Sequence, residues 1–314
     1  MIPPWMTPEQ AYQWRLSLDV KLLRVSGDAF QQFFSDVMAR RHGDDFVRTR
    51  PWGSAGDKGC DGYLMSTGDL FQCYGKIHDA ALSLTTIISK MGEDYGKAAG
   101  ALSKIMKGWH FVHNLADGLP VDVVTKLYDL KNANPKHRFG FVGPEGIASR
   151  IFELREAEIV RLLGPAANAS DTQNLRIEEV AGLISAVMAG LSSDMPPAAA
   201  PKPVPFAKME INSVPALWQR IMKDATANAA FVEDYINEHP DPEMGSRLAR
   251  IFRGRYDDLK LQGLSQGPIL NILYEGVTGV GAVLPARQVA AQALLAYLFE
   301  SCDIFEDDPA KVKL

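Results

Sequence analysis

The chain has 314 residues, enough for two domains of ordinary size that each bury a core. Its composition is that of a soluble globular protein, with 46% hydrophobic, 23% charged and 9% aromatic residues. A net charge of -5 excludes a broadly basic nucleic-acid coat, but it is compatible with a nuclease whose metal-binding site is itself acidic.

The first residues, MIPPWMTPEQAYQWRL, contain neither a basic nor an apolar signal region. No apolar run reaches the roughly 18–20 residues of a membrane span. The three cysteines, Cys60, Cys73 and Cys302, are widely separated and odd in number, which argues against a disulfide framework and a zinc site. We therefore expect a cytoplasmic protein that does not associate with a membrane.

The first part of the chain alternates between helical and strand patterns. A helix is predicted over DAFQQFFSDVMARRH, with Asp28 in its cap region, because apolar residues recur there at helical spacing. DFVRTRP is predicted to be a short strand, and CDGYLMS and LFQCYG to be two hairpin strands joined by the turn TGD. A long helix is predicted from about Ile77 to Lys107.

Two more strands are predicted further along, WHFVHN and RFGFVG, with the helix PVDVVTKLYDLKNA between them. A strand, a helix and a strand in succession indicate a parallel crossover. The predicted fold class is therefore an α/β N-terminal domain, with a mixed sheet flanked by helices, followed by an all-α C-terminal domain.

The clearest break in the chain is SSDMPPAAAPKPVPF, where alternating Pro and Ala predict a semi-rigid, extended linker. One bridging helix, LRIEEVAGLISAVMAGL, is predicted before this linker, and helices are predicted throughout the part after it. The expected division is residues 1–165 as the α/β domain, 166–205 as bridging helix and linker, and 206–314 as the helical domain.

The last predicted helix, ARQVAAQALLAYLFESCDIFE, is apolar nearly all round across Val289 to Phe299. Such a helix forms either the centre of a bundle or a surface that binds a partner. A partner surface would favour homo-oligomerisation or docking onto another subunit.

The residues best suited to chemistry lie in GSAGDKGCDGYLMSTGDLFQCYGK, from Gly53 to Lys76. Hydrolysis of a phosphodiester needs carboxylates that hold Mg²⁺ near the scissile phosphate, and it gains from a nearby cation. Asp61 opens the first hairpin strand, and Gln72 lies on the second, where side-chain alternation places Gln72, Tyr74 and Lys76 on one face. The glycines of the turn would let the backbone approach a phosphate closely.

This stretch resembles the core motif of the PD-(D/E)xK nuclease superfamily, in the Mrr-like form of restriction endonucleases. In that form a glycine-rich turn, G-x-G-D-x-G-x-D-G, precedes a strand that carries Q-x-K. The resemblance covers roughly Phe30 to Lys76. It implies metal-binding roles for Asp57 and Asp61, a catalytic role for Gln72, and Mg²⁺ or Mn²⁺ as the cofactor.

One position departs from this motif. Tyr74 stands where the motif has its lysine, so the cation is missing from its expected place. Lys76 has the right side-chain parity and a stem long enough to return its ammonium to the site. The expected catalytic residues are therefore Asp61, Gln72, Lys76 and Tyr74.

Three basic residues near the motif are predicted to contact the phosphates of a nucleic acid. Arg48 and Arg50 alternate on the preceding strand, and Lys58 lies in the glycine-rich turn. A solvated strand face explains the two arginines equally well.

Simpler interpretations remain open for the motif itself. Asp61 precedes Gly62, and Asp-Gly is a common turn dipeptide. Gln72 would then be a satisfied buried amide, and Tyr74 and Lys76 the amphipathic end of a strand.

The histidines in WHFVHN are not placed in the site. His110 and His113 fall on opposite faces of one strand, so a metal shared by the two is not expected.

A second resemblance covers roughly Phe206 to Glu306. RIFRGRYDDLKLQGLSQGPILNILYEGV and ARQVAAQALLAYLFESCDIFE are similar to the C-terminal domain of effector subunits from bacterial ABC-three-component conflict systems, the group that includes Lamassu-type antiphage defence. Such systems combine an ABC or SMC-like ATPase and a small middle component with an effector, often a nuclease. The resemblance implies both subunits as partners.

Together the two resemblances imply an antiphage or anti-plasmid effector, a metal-dependent DNA endonuclease held in check by an ABC/SMC-like ATPase complex. The alternative is a catalytically inactive adaptor, whose nuclease fold has lost its lysine and serves to bind nucleic acid or to scaffold the defence complex.

Overall fold

The computed structural model describes residues 3–49, 58–77, 82–189, 208–301 and 304–305. The chain divides into two compact units. The first unit is built on Leu18–Leu162, and the second contains Pro4–Ser17 and the chain from Leu163 onward. The first unit holds a sheet with flanking helices and the second is helical, so the predicted fold class is confirmed.

The sheet of the first unit has five strands in the order β1-β2-β3-β4-β5. Their bounds are Phe46–Arg48, Gly62–Leu64, Asp69–Tyr74, Gly108–His113 and Arg138–Val142. The first three strands pair antiparallel, whereas β4 pairs parallel with both β3 and β5. This mixed sheet contains the predicted hairpin, β2–β3, and the predicted parallel crossover, β4 to β5.

Six helices include residues of the first unit: α1 Pro8–Arg24, α2 Gly27–His42, α3 Leu84–Ala101, α4 Val121–Ala133, α5 Pro144–Ile151 and α6 Glu156–Leu163. One core cluster places α3 and α4 against one face of the sheet, where Trp109 and Phe111 are buried. On the other face α2 packs through Phe34, whose ring lies 5.5 Å from that of Phe71. The strand ends that carry the motif therefore lie between two helical layers.

Two predictions about the helices need correction. The helix predicted from Ile77 to Lys107 begins only at Leu84, because the Ser83 side chain accepts a hydrogen bond from the Thr86 N–H and caps it. It ends at Ala101, after which a turn leads the chain back to β4. The N-cap of α2 is Ser26, and Asp28 lies in the first turn.

The second unit contains seven further helices among its described residues. They are α7 Ala169–Gln173, α8 Ile177–Ala189, α9 Lys208–Ile211, α10 Ala216–Glu238, α11 Met244–Leu261, α12 Gln266–Thr278 and α13 Pro285–Glu300. The segment predicted as a bridge, α8, packs against α10, α12 and α13. The predicted linker, 192–206, lies outside the described residues.

The apolar helix α13 is the centre of this bundle. Ten of its residues are buried, and it packs against α8, α10 and α12. Of the two alternatives for this helix, the bundle core is therefore correct. Because the other helices of the bundle cover its apolar surface, that surface is no longer an argument for a partner subunit or a second copy.

Within the described ranges, no helix is both long and apolar enough to cross a membrane. Cys60 and Cys73 are buried thiols on or beside the hairpin strands, and Cys302 lies outside the described residues.

Candidate nuclease site

The hairpin β2–β3 sets the geometry of the motif. Gly62 lies opposite Phe71 and Leu64 opposite Asp69, and the turn closes with a 2.9 Å hydrogen bond from the Gly68 N–H to the Leu64 carbonyl. This pairing brings the chain just before β2 next to the carboxyl half of β3, where Gln72 and Tyr74 lie.

Asp61 is buried and is held across the hairpin. Its side chain is 6% exposed, and Oδ2 accepts a hydrogen bond of 2.7 Å from the backbone N–H of Cys73. A second bond, 2.8 Å, runs from the Asp61 N–H to the Phe71 carbonyl. A turn-forming Asp would bond within its own turn. Here the carboxylate contacts the strand that carries Gln72.

The negative charge of Asp61 also acts on its neighbour. Burial, supplemented by the charges of Asp61 and Cys60, raises the pKa of the Cys73 thiol well above its ordinary value. Cys73 is therefore a neutral thiol at physiological pH and is not a nucleophile.

Gln72 is the most unusual residue of the site. Its side chain is 2% exposed, yet Oε1 has no hydrogen-bond partner among the described residues. A buried, unbonded carbonyl oxygen costs about 1–3 kcal/mol, and in a native structure it calls for an explanation such as an ion. The described residues therefore provide no partner for this oxygen, which a satisfied amide would require.

Tyr74 belongs to the core rather than to a polar site. It is half-buried, and its ring stacks on Phe111 with 5.8 Å between centroids. Burial raises the pKa of its hydroxyl, while the positive charge of Lys90 opposes that shift. Tyr74 thus fills the place of the motif's lysine with an aromatic packing contact.

Lys76 lies just beyond β3, where the side chain of buried Asn114 holds its backbone. The Lys76 N–H donates to Asn114 Oδ1 at 2.8 Å, and Asn114 Nδ2 donates to the Lys76 carbonyl at 3.0 Å. The same Nδ2 lies within 3.1 Å of the Leu22 carbonyl and 2.8 Å of the Val25 carbonyl. Asn114 therefore fixes the end of β3 to the connection between α1 and α2.

The predicted phosphate contacts are only partly described. Arg48 is exposed on β1 and lies directly opposite Gly62, which pairs with Phe71, so alternation places its side chain on the sheet face of Phe71 and not on that of Gln72. Lys58 is exposed and has a positive φ of 56°. Asp57 and Arg50 lie outside the described residues.

Gly59 has a packing role that the sequence did not suggest. Its φ is +71°, and a Cβ there would lie 2.1 Å from the Asp94 carbonyl oxygen of α3. The residue is glycine because the turn packs against a helix backbone. Close approach to a phosphate is not needed to explain it.

Helix α3 adds two charged residues that sequence reasoning missed. Lys90 Nζ lies 2.8 Å from Asp94 Oδ2, and Asp94 is buried while Lys90 is about half-exposed. The Lys90 charge also reaches Tyr74. The sequence did contain a signal for Asp94, because a charged residue there shares the apolar, helically spaced face of Met91 and Ala98, which are buried.

His113 was not predicted to be a site residue, although it lies on the same face of the sheet as Tyr74. His113 lies opposite Tyr74 in the β3–β4 register and stacks on Phe111, whereas His110 stacks on Phe71. The two histidines thus occupy opposite faces, as their spacing predicts. Burial lowers the pKa of His113 to about 4, so that it is neutral at physiological pH.

The donor set of the site fits a hard, hydrated cation. Asp61 and Gln72 supply oxygen atoms, the ligand type that Mg²⁺ prefers. In the described part of the chain no three His, Cys, Asp or Glu side chains are grouped to hold a metal. An ion held by Asp61 and Gln72 would therefore have to take most of its ligands from water and substrate phosphate.

Comparison with known proteins gives information on the second unit. No curated protein and no solved structure matches the chain significantly. Residues 178–306, which run from α8 to the end of the bundle, match a family model described as C-terminal domain 10 of the ABC-three component (ABC-3C) systems. The match supports the predicted membership of such a system and thus a role in a defence system.

Proposed function

We propose that the first unit is a metal-dependent DNA endonuclease and the effector of an ABC-three-component defence system. The observation that carries this proposal is the buried, unbonded Oε1 of Gln72, on the strand to which the Asp61 carboxylate is bonded. A buried oxygen without a partner is costly in a purely structural role.

Each residue then has a definite task. The Cys73 N–H orients the Asp61 carboxylate, and Asp61 and Gln72 hold Mg²⁺ or Mn²⁺. When bound, such an ion would lower the pKa of a coordinated water molecule and neutralise charge on the phosphate. Arg48, exposed on the neighbouring strand, binds the nucleic-acid backbone, together with Lys58.

The lysine missing from its expected position has two candidate replacements. Lys76 is close in sequence and its backbone is fixed by Asn114, whereas Lys90 lies on α3 and acts electrostatically on Tyr74. Replacing each by methionine, which keeps the apolar stem, distinguishes them. The variant that lacks the functional lysine should lose cleavage, and Lys90→Met should in addition lose stability, because Lys90 pairs with the buried Asp94.

The second unit links this chemistry to the rest of the system. Since residues 178–306 match an ABC-3C domain, we propose that this unit binds an ABC/SMC-like ATPase and a small middle component. In this proposal the ATPase complex keeps the nuclease inactive until it detects foreign DNA, because an unrestrained nuclease would damage its host.

The test is plasmid cleavage by the full chain, alone and with its partner subunits, in the presence of Mg²⁺ or Mn²⁺. Asp61→Asn should abolish cleavage, whereas Asp129→Asn, a matched change on the exposed face of α4, should not. A second measurement is the shift in melting temperature on adding Mn²⁺, which Asp61→Asn should remove. Cleavage that persists undiminished in Asp61→Asn would refute the proposed site.

One observation favours the alternative, a non-catalytic adaptor. Tyr74 is packed on Phe111 at the position where the motif has its lysine. An adaptor would bind DNA or the other subunits without cutting. It is supported if no cleavage occurs with partners present and Mn²⁺ leaves the melting temperature unchanged.

A further inference from the structure

A cleft in the first unit lies apart from the hairpin residues and concentrates arginine. It has a volume of about 540 Å³ and is formed by the carboxyl end of α2 and the junction of α5 and α6. Its lining residues are Arg40, Arg41, His42, Glu153, Leu154, Arg155 and Glu158. This volume is within the range of sites that hold small molecules.

The two glutamates of the cleft do not balance its positive charge. Glu158 is shared by three guanidinium groups, with N–O distances of 3.1 Å to Arg40, 3.0 Å to Arg161 and 3.9 Å to Arg155. Glu153 pairs with Arg41, whose Nε donates to it at 2.8 Å.

Two further groups act on the cleft from neighbouring positions. Arg150, on α5, donates from Nη1 to the Gly146 carbonyl at 2.8 Å, and it acts electrostatically on His42. Asp45 adds one negative charge near His42, and Ser66 binds its carboxylate through a hydroxyl 2.6 Å away. The lining itself therefore has three arginines and two glutamates, with Arg150, Arg161 and Asp45 around it, which leaves a small excess of positive charge.

The charge of Arg41 also acts on two side chains around the cleft. Burial and the charge of Arg41 both lower the pKa of Arg150, and burial, Arg41 and Arg150 lower that of His42. The last turn of α2 directs carbonyl groups toward the same region, which partly offsets the field. Even so, the cleft disfavours further cations and favours an anion.

We propose that this cleft binds a phosphate-bearing ligand. Guanidinium groups form paired hydrogen bonds with phosphate, and arginine is therefore favoured where a phosphate is bound. Arg155, whose side chain is 89% exposed and only weakly paired, is the donor best placed to turn toward a ligand. Two sources share this chemistry, a free nucleotide and the backbone of a nucleic acid.

The test measures binding to the full chain in EDTA, so that it does not depend on the proposed metal site. The probes are a short fluorescein-labelled DNA, single-stranded and as a duplex, and a fluorescent ATP analogue. Arg155→Glu should weaken binding of at least one probe on the order of tenfold, about 1.4 kcal/mol, and Arg155→Gln should weaken it less.

The matched control is Lys131→Glu, which makes the same charge change on exposed α4, a helix that packs on the opposite face of the sheet from α2. Circular dichroism and thermal unfolding verify that the variants fold. A loss confined to DNA identifies the backbone as the ligand, and a loss confined to the ATP analogue identifies a nucleotide. The proposal is overturned if no probe binds the unmodified chain, or if Lys131→Glu weakens binding as much as Arg155→Glu does.

Discussion

The Asp61 carboxylate accepts a 2.7 Å hydrogen bond from the backbone N–H of Cys73, on β3, the strand that pairs with β2. This bond serves the fold as well as the proposed chemistry, because it satisfies a buried donor beyond the end of β2. The two roles separate in two variants. Asp61→Asn keeps an oxygen acceptor but removes the charge, whereas Asp61→Ala removes both.

We expect Asp61→Ala to lower the free energy of unfolding by about 1–3 kcal/mol, because it leaves the Cys73 N–H without its acceptor. Asp61→Asn should lower the free energy of unfolding by less than about 1 kcal/mol. Both variants should lose cleavage. Urea denaturation of the two variants checks the first expectation. Equal stability of Asp61→Ala and the unmodified chain would show that the bond has no structural role.

Gln72 is predicted to be a destabilising residue in the absence of metal. Leucine has a similar size and no polar atoms, so Gln72→Leu should raise the free energy of unfolding by about 1 kcal/mol in EDTA. The same variant should lose the Mn²⁺-dependent shift in melting temperature. If Gln72→Leu instead lowers stability in EDTA, the amide makes a favourable structural contribution and the case for a metal ligand weakens.

Gly59 allows a sharp test of the packing between the turn and α3. Because Cβ would meet the Asp94 carbonyl at 2.1 Å and φ is +71°, Gly59→Ala should destabilise the chain by more than about 2 kcal/mol. The matched control is Gly96→Ala. Gly96 lies within α3 with open space around it, so alanine there should stabilise by about 0.5–1 kcal/mol. A mild effect of Gly59→Ala would mean that the turn can move away from α3.

Most of the fold was predictable because its elements have strong local signals. The hairpin strands were predicted from alternation around TGD, and the four long helices α10 to α13 from their apolar spacing. The short helices α5, α6, α7 and α9 escaped prediction because each has eight residues or fewer, too few for a clear period. Helix α1 was missed although it has 17 residues.

The site was less predictable, because its decisive features depend on contacts distant in sequence. The sequence places Asp61 and Gln72 on adjacent strands, but it cannot show that one carboxylate oxygen bonds Cys73 or that Gln72 Oε1 is unbonded. Likewise, Lys90 approaches Tyr74 only through the packing of α3 on the sheet.

His113 predicts a specific dependence of stability on pH. Its pKa is about 4 in the folded chain and near 6.5 when unfolded, so between these values the unfolded state binds more protons. The free energy of unfolding should therefore rise with pH across this window, by about 3 kcal/mol in total, and this stability is lost as the pH falls from 6.5 toward 4.

Urea denaturation at several pH values in this window measures that slope for the unmodified chain and for His113→Gln. Glutamine does not titrate and keeps an acceptor for the Leu115 N–H, which His113 Nδ1 now binds at 3.3 Å. The slope of the variant should be smaller. Identical slopes would mean that His113 is protonated in the folded chain and is not shielded as its burial implies.

Tyr74→Lys tests whether the site lacks only its cation. Lysine there restores the motif's residue, while the loss of the ring contact with Phe111 should cost about 1 kcal/mol of stability. If the first unit is a nuclease, the initial rate of plasmid nicking in Mg²⁺ should rise on the order of tenfold, because a cation near the phosphate stabilises charge in the transition state. Tyr74→Met, which also loses the ring but adds no charge, should show no such gain. A Lys variant that folds and still does not cut, with partner subunits present, would indicate that the missing lysine is not the only defect of the site, and would favour the adaptor.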